Sequence, residues 1–329
     1  MYLMAIFVEP LAPYLPDDHA AKLTYAPPYR IHFFHEGRFI GPYAYGLTSV
    51  VEPEALRRVF SVDTTQVIPL GFFVRGEPYK LWGLFEMDVR LFGPVEKGQR
   101  VYLLGADRMG RDLLSRLLYG TRISMSIGLV GVVLSFVLGI LLGGLSGYYG
   151  GVIDEIIQRV IEFLRSMPTI PLWMGLAAAV PANWPSVRIY FAITVILSLI
   201  GWTGLARVVR GRFLALREED FVMAARLVGS SEMRIILRHM LPSFTSHVIA
   251  SITLSIPGMI LAETSLSFLG LGLQPPVVSW GVLLQDAQNI RSVSSAPWLL
   301  TPAAAVIVSV LTLNFLGDGL RDAADPYGR

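Results

Sequence analysis

The sequence predicts an all-α polytopic membrane protein with a small, mainly β domain inserted close to its start. Three observations lead there. Hydrophobic residues make up 53% of the chain and charged residues only 16%, with a mean hydropathy of +0.55, whereas a soluble domain carries roughly 25% charge. Long uncharged runs recur, residues 123–153 being the longest, against the ~20 residues that cross a bilayer. Between residues 17 and 100, by contrast, acidic and basic residues interleave with aromatics, Pro and Gly.

The same residues exclude several chemistries. There is no cysteine, hence no disulfide, thiolate metal site or cysteine nucleophile. The lysines are Lys22, Lys80 and Lys97, and none follows a glycine, so no P-loop is present and the chain does not hydrolyse ATP itself. Neither G-x-S-x-G nor H-E-x-x-H occurs. His32, His35 and Glu36 read as surface residues, so no metal site is expected.

Taken in order, residues 1–16 open with MYLMAIFV, about eight apolar residues broken by prolines. They read as the outer end of a first transmembrane helix that is truncated, with no cleavable signal peptide evident. Residues 17–100 form the extracytoplasmic insertion, its short aromatic and β-branched runs reading as strands and EPEALRRVF (residues 52–60) as a short helix. Residues 101–122 carry an amphipathic outer-surface helix, with Leu113, Leu114, Leu117 and Leu118 on one side and Arg111, Asp112 and Arg116 on the other. There the arginines are placed to meet lipid phosphates or to close an outer gate. Residues 123–329 are the transmembrane core, with spans at Ile123–Ile153, Met167–Val187, Ile189–Ala206, Ser243–Ala262 and Pro297–Leu316. That makes five complete spans plus the truncated first one. The glycines at 128, 131, 139, 143, 144 and 147 suit close helix packing in lipid. Trp280 and Trp298 are placed in an outer aromatic belt. His247 and Glu263, ionisable at membrane depth or its edge, are functional candidates, and with Arg111 and Asp112 they form the gate or pathway set.

The loop at 207–242 organises the rest. Its arginines at 207, 210, 212, 217, 226, 234 and 238 put it on the cytoplasmic side by the positive-inside rule. Phe221, Ala224, Ala225 and Val228 repeat at helical spacing, with Glu218, Glu219 and Asp220 at the start and Gly229 as the stop. Met233, Ile236, Leu237 and Met240 repeat it again, closed by Pro242, with Arg238 and His239 in the last turn.

Ala224-Ala225, Gly229 and Leu241-Pro242 resemble the EAA motif of ABC-importer permeases. The run AARLVGSSEMRIILRHMLP is similar to the version in the dipeptide/oligopeptide/nickel permeases, including His239. One residue departs: Met223 stands where the family has Glu, and Glu219 and Asp220 are out of register. LLGADRMGRDLLSRLLYGTR, with Ala106 for the usual Thr, resembles the signature ahead of the second span, and LNFLGDGLRDAADPYGR the terminal one. A Glu ahead of SLSFLGLGLQPP is typical of the family, which makes Glu263 architectural or gating first and a substrate ligand second.

What the resemblance implies follows. The fold is the MetI-like permease fold, and the function is the membrane subunit of an ATP-driven importer, peptides being the first cargo class ahead of nickel, opines or sugars. Phe221, Met223, Ala224, Ala225, Gly229, His239, Leu241 and Pro242 are the ATPase-coupling residues. This chain binds no cofactor; ATP and Mg are used by the partner ATPase. The partners are a second homologous permease, two cytoplasmic ATPase subunits, an extracytoplasmic solute-binding protein and lipid, with no nucleic acid. The location is the inner membrane of a prokaryote, with loop and carboxyl terminus in the cytoplasm. The rivals are a secondary transporter, which ordinarily needs intramembrane charges that these spans lack, and a non-transporting sensor built on the insertion.

Overall fold

A computed structural model of the chain describes residues 1–52, 57–181 and 183–324, without the side chains of 57, 244–247, 249, 250 and 324. Its contacts divide it into two compact units. One comprises residues 1–125, 267–270 and 274–307; the other comprises 126–266, 271–273 and the chain from 308.

The first unit begins with two short helices, α1 (Tyr2–Ile6) and α2 (Val8–Leu11). An antiparallel sheet follows: β1 (His32–His35), β2 (Arg38–Glu52), β3 (Arg57–Leu81) and β4 (Phe85–Pro94), in the order β1-β2-β3-β4. Glu36 and Gly37 both have positive φ (48° and 78°), the type I′ geometry that matches strand twist in a two-residue hairpin. β3 pairs with β2 along its first half, from Arg57 to Pro69, and with β4 along its second, from Leu70 to Leu81. Ala44, Ile68 and Leu70 pack with Ala26, Tyr29, Val101 and Tyr102 into this unit's core. The short helix read at residues 52–60 is not found among the described residues, since Glu52 ends β2 and Arg57–Phe60 begin β3. Residues 53–56 lie outside the description. Rows of β-branched residues paired across strands outweigh a marginal local helix signal.

α3 (Leu113–Tyr149) is one helix of 37 residues, running through residue 122, where the sequence reading ends one segment and starts another. At 1.5 Å per residue it is ~55 Å long, more than the ~30 Å of hydrocarbon. α4 (Gly151–Ser166) follows a sharp turn at Gly150 and Gly151, both with positive φ (66° and 55°). α5 (Thr169–Ala178) has only 10 residues, ~15 Å, half of what crossing needs. A complete span was expected at Met167–Val187, but Pro168 and Pro171 sit at its start and PANWP at its end, leaving too few residues for a long helix.

α6 (Ser186–Leu216) has 31 residues, and α7 (Asp220–Leu227) and α8 (Glu232–Arg234) are short. α9 (Thr245–Phe268) has 24 residues with Pro257 inside, α10 (Trp280–Leu284) and α11 (Ile290–Ser295) are short, and α12 is Thr301–Ala324. Among the described residues, three segments are long and apolar enough to cross a membrane: Leu113–Tyr149, Ser186–Leu216 and Pro297–Ala323.

Within the second unit, α3 and α6 pack through glycine. A Cβ on Gly143 would meet the Ala206 carbonyl oxygen at 2.5 Å, and one on Gly147 the Arg210 carbonyl oxygen at 2.6 Å. Ser198 donates to the Gly131 carbonyl (3.0 Å) and Tyr190 to Ser126 (3.1 Å) across the same pair. Without a hydrophobic force between helices in lipid, such close approach and bonding hold them together. Gly144 differs, since its added Cβ would meet only the Phe213 ring, at 3.5 Å. Gly147→Ala should therefore destabilise the chain by about 1–3 kcal/mol, the cost of overpacking against backbone, and Gly144→Ala should be neutral. Thermal melts of the two variants in detergent test this. Equal melting temperatures would contradict it.

Candidate functional site

The segment 220–244 is built by three changes of helical winding. α7 ends in a Schellman motif: the Gly229 N–H donates to the Arg226 carbonyl (3.0 Å) and the Ser230 N–H to the Ala225 carbonyl (3.1 Å), with Gly229 at φ +75°. That motif needs a left-handed residue, which glycine supplies without a Cβ clash. After α8, residues Ile235–Met240 wind as a π-helix, where the Leu241 N–H reaches the Ile236 carbonyl, and Leu241–Phe244 as a 3₁₀ turn. Pro242 explains the change, because its ring crowds the carbonyl four residues back and it has no N–H to donate.

This winding decides which side chains are covered. Val222 and Ala225 of α7 and Ile235 and Met240 of the π turn are buried, packed with Tyr148 of α3 and Val209 and Phe213 of α6. The residues that the sequence grouped on one apolar face divide otherwise. Ala225 is buried, whereas Phe221, Ala224 and Val228 are exposed. In the second repeat Met240 is buried, Ile236 and His239 are half-buried, and Met233 and Leu237 are exposed. A period of 3.6 misassigns this stretch because Ile235 and Met240, five apart, share a face only in π winding. Leu241 is half-buried and Pro242 exposed. The outcome is an uncovered apolar surface of Phe221, Met223, Leu227, Val228, Met233 and Leu237, in which Leu227 is 89% and Val228 81% exposed.

Polar contacts pin the segment to its supports. Tyr149 donates to Glu232 (2.5 Å), and the Arg226 guanidinium lies 5.1 Å from the Tyr148 ring centre, a cation–π distance. Arg210 of α6 binds Asp154 of α4 with both oxygens, at 2.6 and 2.5 Å, and Ser146 of α3 donates to the same carboxylate. The Arg210 bonds hold Asp154 below the ordinary carboxylate range. Arg210 and Glu232 stand in the sequence only as charges of the loop, since their partners Asp154 and Tyr149 lie 56 and 83 residues away and leave no local pattern.

In the same unit, a cavity of about 330 Å³ lies between α3, α5, α6 and α9, lined by Ser135, Phe136, Trp173, Leu197, Ser255 and Met259 among others. Its lining carries hydroxyls and no charge, and the buried Trp173 indole N–H has no partner. Glu263, further along α9, is fully buried. The His247 side chain lies outside the described residues.

Arg111 and Asp112 lie in the first unit, in a buried charge cluster and not at a lipid surface. Asp107 is 1% exposed and accepts from the backbone of Met109 (2.8 Å) and Arg111 (3.0 Å), from Arg111 Nε (2.7 Å) and from Arg116. Arg116 is buried too, so neither arginine is held toward phosphate. The apolar stripe of four leucines predicts the opposite orientation; the paired charges instead face protein, where each carries its partner. Asp112 begins α3 as its N-cap, taking the Ser115 N–H (2.7 Å) and hydroxyl (2.6 Å). Burial raises its carboxyl to about 7, the nearby Asp107 charge adding to this. Of the two tryptophans expected in an outer aromatic belt, Trp280 is buried and donates to the Leu117 carbonyl (3.2 Å), whereas Trp298 is half-buried and donates to that of Ala106 (3.0 Å). His32 and His35 stack on Tyr43 and Tyr45, and no metal-binding cluster of three occurs among the described residues.

Comparison with known proteins adds the family. The model of the "Binding-protein-dependent transport system inner membrane component" family matches residues 136–327. The oligopeptide transport system permease protein OppC of Haemophilus influenzae is 42% identical over 229 residues, covering 69% of this chain and 71% of that protein. OppC of Escherichia coli K12 is 41% identical, with 69% and 73% covered, and a putative peptide permease of Brucella ovis 36% identical, with 75% and 81% covered. A chain from the inward-facing MetNI methionine ABC transporter superposes with a TM-score of 0.50 at 19% identity, covering 64% of this chain and 96% of that one. That likeness establishes a MetI-like fold.

The raised Asp112 carboxyl makes a stability prediction. A folded value near 7 against 3.8 means the folded state holds the proton more tightly. The favourable contribution is complete below about pH 4 and is lost as pH rises toward 7. Asp112→Asn keeps a good N-cap and mimics the protonated form. Melts between pH 4.5 and 7.5 should show wild type losing several degrees relative to the variant as pH rises. Parallel curves would remove Asp112 as the titrating group.

Proposed function

The chain belongs to the binding-protein-dependent transport system inner membrane component family, and from that premise we propose that it is the permease subunit of an ATP-driven peptide importer, coupled to its ATPase through residues 220–242. It is a multi-pass inner-membrane subunit and performs no catalysis itself. The peptide cargo rests on its relatives, the oligopeptide permeases. One observation carries the coupling reading: the uncovered apolar surface of Phe221, Met223, Leu227, Val228, Met233 and Leu237. An apolar patch of this kind, left facing water, marks a protein–protein surface.

The mechanism then runs through packed contacts. ATP draws the two ATPase subunits together below the permease, and Phe221, Ala224, Gly229, His239 and Pro242 move with them. Val222, Ala225, Ile235 and Met240 press on Tyr148, Val209 and Phe213, while Glu232 pulls on Tyr149. The ends of α3 and α6 therefore shift with the loop, and the Arg210–Asp154 pair carries α4 along. A close-packed interior passes such displacement on instead of absorbing it. The remaining spans complete the MetI-like bundle, with the loop and carboxyl terminus in the cytoplasm and the β insertion outside. Alternating access is shared with a second permease, fed by a solute-binding protein. Met223 replaces an acidic residue of the family pattern, so the contact here is apolar where others are ionic. Glu263, buried within the second unit, is the gating candidate there.

Leu227→Glu tests the assignment, because Leu227 touches little of its own chain. Co-purification of the tagged chain with its ATPase should fall more than tenfold, while its melting stays within ~0.5 kcal/mol of wild type, as for other surface changes. Equal ATPase recovery would sink the coupling role of this loop.

A further inference from the structure

The observations that point beyond transport lie in the β insertion. Arg122 is the last charge on α3 before an uncharged run that reaches residue 153, so the edge of the hydrocarbon falls near it. Arg122 also binds α1 and α2. Its Nε donates to the Ala5 carbonyl (2.8 Å), one terminal nitrogen donates to that of Ile6 (3.1 Å), and the guanidinium grips both oxygens of Glu9 (2.8 Å each). Residues 5–9 are therefore held at the level of the membrane edge. The tip of the β3–β4 hairpin reaches the same level. Trp82 Nε1 donates to the Ile6 carbonyl at 2.7 Å, and its ring lies 5.6 Å from that of Phe7.

What this tip shows to its surroundings is apolar. Residues 81–85 read Leu-Trp-Gly-Leu-Phe, and Leu84 is 74% and Phe85 59% exposed. Leu3, Met4, Ile6 and Phe7 of the neighbouring α1 segment are exposed as well. The charges resume only beyond the tip, with Lys80 and Glu86 at 3.8 Å from each other. Trp82 itself sits at φ +54°, a left-handed backbone that asparagine, aspartate or glycine adopts far more easily than a bulky aromatic residue. Gly83 follows at φ +75° and the Leu84 N–H reaches the Leu81 carbonyl (3.0 Å), so the tight hairpin turn itself sets this conformation.

We propose that the Trp82–Phe85 tip of the β3–β4 hairpin is a membrane anchor, seated in the lipid interface beside α1. Lipid is the occupant because the patch continues the exposed apolar residues of the α1 segment, which Arg122 ties to the turn of α3 where the uncharged run begins. Tryptophan belongs at that depth, with an apolar ring and one polar N–H already bonded. Leu84 and Phe85 then insert like the short apolar loops of interfacial proteins. The insertion would be held at a set height above the bilayer and not left free on a stalk.

The absence of cysteine makes the test direct. Single cysteines at Leu84, at Val62 toward the other end of β3 and at Leu129 on α3 are spin-labelled in the full chain, reconstituted with its co-purifying partners in phosphatidylcholine liposomes. Collision rates with oxygen and with a water-soluble nickel chelate are read at each. The proposal expects the oxygen-to-chelate ratio at Leu84 to exceed that at Val62 at least threefold. A ratio equal to that at Val62 would place the tip in water, and protection from both reagents would place it under protein; either overturns the anchor. A low ratio at Leu129 would instead bring down the membrane reading of α3. Phe85→Cys repeats the measurement should Leu84→Cys not fold, with the same outcomes.

Discussion

A charge drawn out of water into a protein's interior must bring its own partner, because its apolar surroundings supply none. Three arginines near the long helices obey this. Arg122 holds Glu9, Arg116 holds Asp107, and Arg210 holds Asp154. Each pair also fixes a piece of backbone that would otherwise be loose. Arg122 and Arg90 between them cap the carbonyls of Ala5, Ile6, Glu9 and Ala12, the end of a short helix where positive charge is favoured. Asp107 folds the approach to α3 around itself, and Asp154 turns α4 back onto α6. Such pairs add little net stability compared with apolar packing. What they add is geometry, since breaking one leaves a charge with nowhere to go.

The segment at 220–244 follows a different logic. Its covered residues are few, Val222, Ala225, Ile235 and Met240, and more of its apolar residues face outward than inward. A soluble helix of this composition would turn Leu227, Met233 and Leu237 inward. Here Gly229, Pro242 and the π winding between them rotate the chain so that Val222, Ala225, Ile235 and Met240 make the internal contacts. The exposed set stays uncovered by its own chain. Backbone chemistry, more than hydrophobicity, decides which face that is.

Much of this was legible without coordinates. The uncharged runs marked α3, α6 and α12 because no other environment accepts them at such length. The aromatic and β-branched runs marked a β insertion, and the spacing of Ala224-Ala225, Gly229 and Leu241-Pro242 marked the loop and its family. Other readings failed for identifiable reasons. Met167–Val187 counts as a span by composition, yet its prolines leave a ten-residue helix. The four leucines from Leu113 to Leu118 look like a lipid-facing stripe only while the partners of Arg111, Arg116 and Asp112 are unknown. Trp280 fits a belt until its ring is seen to be buried.

The sequence by itself determined the membrane class, the insertion, the loop and the family, because each depends on composition or on residues close together in the chain. Only the tertiary structure decided which faces are covered, which charges are paired and where the hairpin tip lies. Those depend on residues far apart: Trp82 with Ile6, Asp154 with Arg210, Tyr149 with Glu232. A periodic pattern says that a helix has two sides, but which side is buried depends on the bonds its distant neighbours need to satisfy.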